Sequence, residues 1–168
     1  MSDRELRPGH KATLERLKAL AQNLPAHLEI SRLLLNLDDP ANDEMSKDRY
    51  TALIAGGSVD ESLKLAIECT ETAPSKFYHR IEKAEKMGLI GVGQAIELQK
   101  IRLIRNAFAH SLAPIGFNDP AIAEATRGLW DHPVSSWSGY FAPVFAPRHQ
   151  YAIVCGEFCQ QLLPKPAA

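Results

Sequence analysis

No apolar run in the chain approaches the roughly 18 residues that a membrane-spanning helix needs. The opening segment, Met-Ser-Asp-Arg-Glu-Leu-Arg-Pro-Gly-His, puts charges where a signal peptide needs an apolar stretch. Cysteine is scarce: Cys69, Cys155 and Cys159 are an odd number and fall short of the density of a secreted disulfide scaffold. The expected setting is therefore reducing and cytoplasmic, away from the membrane. Charge of one sign is missing as well, since 19 Lys and Arg against 20 Asp and Glu leave a formal charge of −1. That balance excludes a whole-molecule field that would draw in nucleic acid or an anionic membrane. Any anion site must be local. Internal repeats and low-complexity tracts are absent too.

What is present suits a single domain over 1–168, because 45% hydrophobic residues are enough for one sizeable core. The charges are unevenly spread: residues 76–110 carry seven Lys or Arg against three acids, and 29–71 carry four against ten. Two helices with differently decorated solvent faces account for this, and a modest basic groove is the alternative. Cys155-Gly-Glu-Phe-Cys159 with His149 nearby lacks the second half of a four-ligand set, and its spacing suits one apolar helical face. No metal or other cofactor is expected.

Apolar residues at three-and-four spacing predict helices over 10–24, ended or kinked by Pro25, and over 26–37, stopped by a turn cluster at 38–43. A long helix follows over 46–70, with Tyr50, Leu53, Ile54, Val59, Leu63, Leu65, Ala66 and Ile67 as apolar positions. Gly56-Gly57 interrupts it. Two glycines inside a helix cost about 1 kcal/mol each relative to alanine, so close approach of another helix, or a kink, is expected there. A shorter helix over 75–87 is closed by Gly88, after which Leu89-Ile90 turns inward. From Gln94 to His110 no proline or glycine occurs, which makes this the clearest helix of the chain. Asp119-Pro120 pairs an N-cap with proline at the first helical position, and predicts a short helix to about Trp130. Residues 131–148, rich in proline and aromatics, predict an irregular segment in which Tyr140-Phe141 and Val144-Phe145 form short strands. A terminal helix over 149–163 ends at Pro164. The fold class is all-α, a helical bundle with a short irregular aromatic segment before the last helix.

One stretch carries chemistry. At about 100° per residue, Ile96, Ile101, Leu103, Ile104, Ala107 and Phe108 share one side of the 94–110 helix, while Ala95, Gln99, Arg102, Arg105, Asn106 and Ala109 share the other. Arginine is a permanent cation shaped for phosphate, and histidine transfers protons near neutral pH. Arg105 and His110 together suit phosphodiester cleavage without a metal, Asn106 is placed to orient the imidazole, and Arg102 adds a second cation. A cation and a histidine in a last helical turn are also what the helix dipole favours with no function at all. His110 lies five residues after Arg105, about 140° around an ideal helix, so one copy does not aim both at one point unless the helix ends near His110. A second, symmetric copy supplies another route. Asp60-Glu61 is a candidate carboxylate for the site or a plain solvated face, and His79-Arg80 with Lys83 is a candidate extension of a phosphate track.

Ile101-Arg-Leu-Ile-Arg-Asn-Ala-Phe-Ala-His110-Ser resembles the signature helix of the HEPN superfamily, in which an arginine followed by a polar residue precedes a histidine by four to six residues. Asp48-Arg49-Tyr50-Thr-Ala-Leu-Ile-Ala, Phe77 to Ile90, and Phe117-Asn-Asp-Pro-Ala-Ile122 resemble, in order, further segments of its mannitol operon repressor-like branch, so that the resemblance covers about 46–130. It implies a helical bundle, a homodimer with the signature helices facing each other and, in active members, a metal-independent endoribonuclease. In that scheme Arg105 holds the scissile phosphate and His110 handles protons during attack by the 2′-hydroxyl. The branch also contains transcriptional regulators without an obvious DNA-reading element, and this chain has no helix-turn-helix pattern with a basic recognition helix. RNA and a second copy are thus the implied partners, and a regulatory protein partner of a catalytically silent chain is the alternative. Toxin members often carry tyrosine two residues after the histidine, where this chain has Leu112. Residues 131–168, an extension with Trp137, Tyr140 and Phe141, lie beyond the resemblance and are read as core or as a cap over the site.

Overall fold

The computed structural model describes residues 12, 13, 15–17, 42–111, 113–130 and 146–162. Within them the chain is an all-α bundle with no strand. Helix α1 spans Asn42–Glu68, α2 Phe77–Lys86, α3 Val92–His110, α4 Pro120–Arg127 with a 3-10 turn at Gly128–Trp130, and α5 Pro147–Leu162. The helix expected over 26–37 and the short strands expected at 140–145 fall outside the described residues. Residues 12, 13 and 15–17 are helical where described, and Thr13 and Arg16 donate to the two carboxylate oxygens of Glu124 on α4, at 2.9 and 3.1 Å. No described helix is long and apolar enough to cross a membrane.

Helix α1 starts four residues before its expected beginning, since Asn42 and Asp43 of the turn cluster already belong to it. Acidic residues in the first turn of a helix are favoured by the exposed N–H groups, which suits Asp43 and Glu44 to a helix that starts at Asn42. The helix runs unbroken through Gly56-Gly57. Its Ala52, Val59, Leu63 and Ile67 are fully buried, packed largely against α5, with α3 crossing on the neighbouring side. Tyr50, Ile54 and Leu65, also expected among its apolar positions, are 69%, 54% and 42% exposed.

Helix α2 begins at Phe77, two residues later than expected, because Arg80 occupies the carbonyls of Pro74 and Ser75, at 2.7 and 3.2 Å. Its end follows the glycine rule. Gly88 takes φ +71°, its N–H donates to Glu85 O, and the N–H of Leu89 reaches back to Ala84 O at 3.0 Å, the paired bonds of a left-handed cap. Only Ile90 then turns inward; Leu89 is 41% exposed.

Helix α3 is the centre of the bundle and touches α1, α2 and α4. Phe108 stacks on Phe117 with ring centroids 4.9 Å apart, and Phe117 on Tyr151 of α5 at 5.2 Å. A helix so enclosed keeps only part of its polar side in water: Arg102, Arg105, Asn106 and Ala109 are half-buried. Ala95 and Gln99, assigned to the polar side, are buried, and Ile96 is only half-buried. Several of its inner polar groups pair along the helix or with the turn after α4: Arg102 Nε donates to Gln99 Oε1 at 2.8 Å, and buried Lys100 lies 3.0 Å from Glu97 and donates to Gly128 O at 2.7 Å. Helix α4 starts as its sequence requires, with Asp119 accepting from Ala121 N at 3.0 Å and Pro120 in the first turn.

Candidate functional site

The last two turns of α3 carry the candidate residues, and all four of them, Arg102, Arg105, Asn106 and His110, are half-buried. The helix persists through His110; Ser111, at φ −66° and ψ 132°, is the first residue outside it, and its N–H still donates to Ala107 O at 2.8 Å. Arg105 and His110 therefore diverge by about 140° and by about 7.5 Å of helical rise. One chain does not assemble them into a single centre. Asn106 and His110 lie on the same side, one turn apart.

Arg105 is fixed by what faces it on α1. A β-carbon at Gly56 would lie 3.1 Å from Arg105 Cβ and 3.2 Å from its Cδ, so the arginine stem rests on bare backbone. One turn further along α1, Asp60 receives Arg105 Nη1 on Oδ2 at 3.1 Å and Arg80 Nη1 on Oδ1 at 2.6 Å. Arg80 spends its other nitrogens on the Pro74 and Ser75 carbonyls. It is a structural post rather than part of a phosphate track. Arg105 keeps 32% of its side chain exposed, against 12% for Arg80 and 16% for Asp60. Two guanidinium groups share one carboxylate, which leaves the trio one positive charge in excess. Glu61, by contrast, turns to solvent and pairs with Lys64 at 2.9 Å.

Arg102 sits beside this trio with its guanidinium 5.5 Å from the centroid of the Tyr78 ring. Burial pulls its pKa below the usual arginine value, partly opposed by Tyr78. The Tyr78 hydroxyl donates to Glu82 at 2.9 Å, and that bond raises its own pKa. Arg102 thereby spends its Nε on Gln99 and sets its guanidinium against the Tyr78 ring.

The end of α3 is held by residues that sequence reasoning passed over. Arg49 Nη2 donates to Ala109 O at 3.1 Å, which satisfies one of the carbonyls a helix leaves open at its C-terminus. Its neighbour Asp48 accepts from Phe117 N at 2.8 Å and from Arg148 Nη1 of α5 at 3.1 Å. The Asp48-Arg49 and Phe117 segments, distant in sequence, thus meet at the turn that presents His110. Arg49, Leu53, Gly56 and Asp60 follow one another at spacings of four, three and four, one line along α1 facing α3. That line was the available signal for Asp60.

No family model, no curated protein and no solved structure matches the chain.

Proposed function

We propose that the chain is a HEPN-type protein that acts on RNA as a cytoplasmic homodimer, with Arg105 as the phosphate ligand and His110 as the proton-transfer group. What supports this most is the state of Arg105: its stem is held against Gly56, its head is oriented by Asp60, and a third of the side chain is still open to solvent. A guanidinium held so and left accessible is a preorganised donor for a phosphate oxygen. In the reaction, the ribose 2′-oxygen forms a bond to phosphorus as its proton is removed. The bond to the 5′-oxygen breaks and that oxygen is protonated, leaving a 2′,3′-cyclic phosphate. His110 performs one or both proton transfers, and Arg105 neutralises charge developing on the phosphoryl oxygens in place of a metal. Because one chain turns Arg105 and His110 apart, the complete centre takes Arg105 from one copy and His110 from the other.

The rival reading, a catalytically silent regulator that binds a protein partner, draws on the same ion pair: Asp60 already neutralises part of Arg105, and the two motif side chains diverge. A mixed RNA pool incubated with wild type, Arg105→Ala and His110→Ala, with and without excess EDTA, separates them. Cleavage that survives chelator, ends in a cyclic phosphate and falls roughly a hundredfold or more in His110→Ala supports the nuclease. Asp60→Asn leaves one acceptor oxygen for two guanidinium groups and loosens the bracket on Arg105, so it should weaken RNA cleavage relative to wild type. Identical RNA profiles for all four proteins sink the nuclease reading and leave the regulator.

A further inference from the structure

Helix α1 carries a face whose larger apolar side chains stay exposed among the described residues. Tyr50 and Ile54, 69% and 54% exposed, follow one another by one turn, and Gly57 comes three residues later on the same side. A β-carbon at Gly57 would meet nothing within 4 Å, whereas one at Gly56 would strike both α3 and α5. The close-packing explanation of the glycine pair therefore covers Gly56 and leaves Gly57 with a helix-propensity cost and no internal return. On this face Lys47 stands toward the N-terminal end and Glu61 toward the C-terminal end, both exposed and each in an exchangeable surface pair on its own helix, with Glu44 and Lys64.

We infer that this face of α1 is the contact surface for a second copy of the chain, with the two α1 helices antiparallel and crossing on a twofold axis at Ile54. Ile54 sits within one residue of the middle of the 27-residue helix, so an antiparallel pair centred there overlaps along nearly the full length, about 40 Å. In that register Ile54 meets its own copy. Tyr50 of each chain lies over the bare backbone of the other's Gly57, and Lys47 of each faces the other's Glu61, twice by symmetry. The parallel alternative sets Lys47 on Lys47 and Glu61 on Glu61, and is disfavoured by like charge. The glycine thus gains a reason: an aromatic ring from the other copy fills the space its missing side chain leaves. The register stands on the α1 surface alone. It deepens the proposed function by naming the dimer surface, which lies beside the end of α3, since Arg49, next to Tyr50, bonds Ala109 O.

Four measurements on the full chain test it. Light scattering and sedimentation at tens of micromolar should give a dimer. Ile54→Asp, at an exposed position that leaves the fold intact by circular dichroism, should raise the dissociation constant roughly thirtyfold or more. Lys47→Glu should weaken the dimer, and adding Glu61→Lys to the same chain should restore it. In a Cys69→Ser background, because Cys69 is exposed, Ile54→Cys should yield a disulfide-linked dimer with copper–phenanthroline. Val92→Cys, at an equally exposed site on α3, should not. A dimer that survives Ile54→Asp and fails to cross-link at position 54 uses another surface and overturns the inference. So does a monomer at every concentration, in which another part of the chain or another partner covers this face. A double charge reversal that does not restore association refutes the antiparallel register. A dimer of this kind without RNA cleavage overturns the nuclease alone, so the two proposals fail separately.

Discussion

Replacing Gly56 and Gly57 by alanine, one at a time, should move stability in opposite directions although the two are neighbours on one helix. At position 57 a methyl group meets nothing within 4 Å, so the change acts through the backbone alone, and alanine stabilises a helix by about 1 kcal/mol relative to glycine. At position 56 the same gain is offered, but the methyl carbon would stand 2.6 Å from the Tyr151 hydroxyl and 3.1 Å from Arg105 Cβ. Arg105 Cβ is anchored to its own helix and cannot swing away. Tyr151 is fully buried, and its hydroxyl, which donates to Ala52 O at 3.3 Å and Ile101 O at 3.4 Å, has no second place to go. Overpacking costs about 1–3 kcal/mol, and a buried hydroxyl that loses its acceptors costs about 1–3 kcal/mol more. Against the propensity gain of about 1 kcal/mol, the expected net loss is about 1–5 kcal/mol. For a chain of this size each kcal/mol moves the midpoint by about 2–4 °C, so Gly57→Ala should melt about 2–4 °C higher and Gly56→Ala roughly 2–20 °C lower. The assay is circular dichroism melting with parallel urea titration, at a dilution where the chain is monomeric, since association would add its own stability. Tyr151→Phe in the Gly56→Ala background should recover part of the loss by removing the obstructing oxygen, a non-additivity that two independent sites do not show. Equal shifts for the two glycines, or no recovery in the double variant, would refute this account of how α1, α3 and α5 meet.

Two further outcomes follow from the core. Phe108→Ala empties a site 1% exposed and stacked on Phe117, and should cost about 3–5 kcal/mol in urea denaturation; an unchanged midpoint would mean the ring is not buried. Burial raises the pKa of Tyr151 well above its usual value and that of Cys155 likewise, so both stay neutral in the fold while the unfolded chain ionises its thiol from about pH 8.5 and its phenol from about pH 10. Raised folded-state values mean stability that is complete below those pH values and lost as pH climbs past them; Tyr151→Phe should flatten the loss above about pH 10, and an identical slope would count against it.

How much of this was legible in the sequence depended on whether a signal was local. The α3 helix, the left-handed Gly88 at the end of α2 and the Asp119-Pro120 start of α4 each follow from neighbouring residues, and each stands where expected. The faces were harder. Periodicity assumes a helix with one wet side, and α3 is enclosed by α1, α2 and α4, so Ala95, Glu97, Gln99 and Lys100 are buried beside Leu98 and Ile101. On α1 the opposite problem arises, because apolar residues run along two lines and hydrophobicity does not say which line meets the rest of the chain. Ala52, Val59 and Ile67 do; Tyr50, Ile54 and Leu65 do not. At the site, the divergence of Arg105 and His110 came directly from about 100° per residue. Asp60-Glu61 stood as a candidate carboxylate for the site, but which of the two meets Arg105 was not legible, since the contact joins positions 45 residues apart and depends on how α1 crosses α3.

That crossing bears on which functional reading the ion pair favours. If Asp60 belonged to Arg105 alone, the pair would be neutral and a phosphate would have to displace the carboxylate to bind. Asp60 instead lies between two guanidinium groups, nearer to Arg80 at 2.6 Å than to Arg105 at 3.1 Å. Arg80 is immobilised by two backbone carbonyls as well, so the carboxylate is fixed chiefly from that side. Exposed ion pairs contribute little to stability, and Arg105, a third exposed, is the outer and weaker member. A phosphate oxygen approaching from solvent can therefore bind the open edge of Arg105 while Asp60 keeps holding the other edge, and the net positive charge of the trio favours that approach. The carboxylate then acts as an orienting bracket, which keeps the guanidinium plane from turning and lowers the entropy lost on binding. In the proposed nuclease, the same contact that ties Arg105 down in the regulator reading is what would prepare it for an anion.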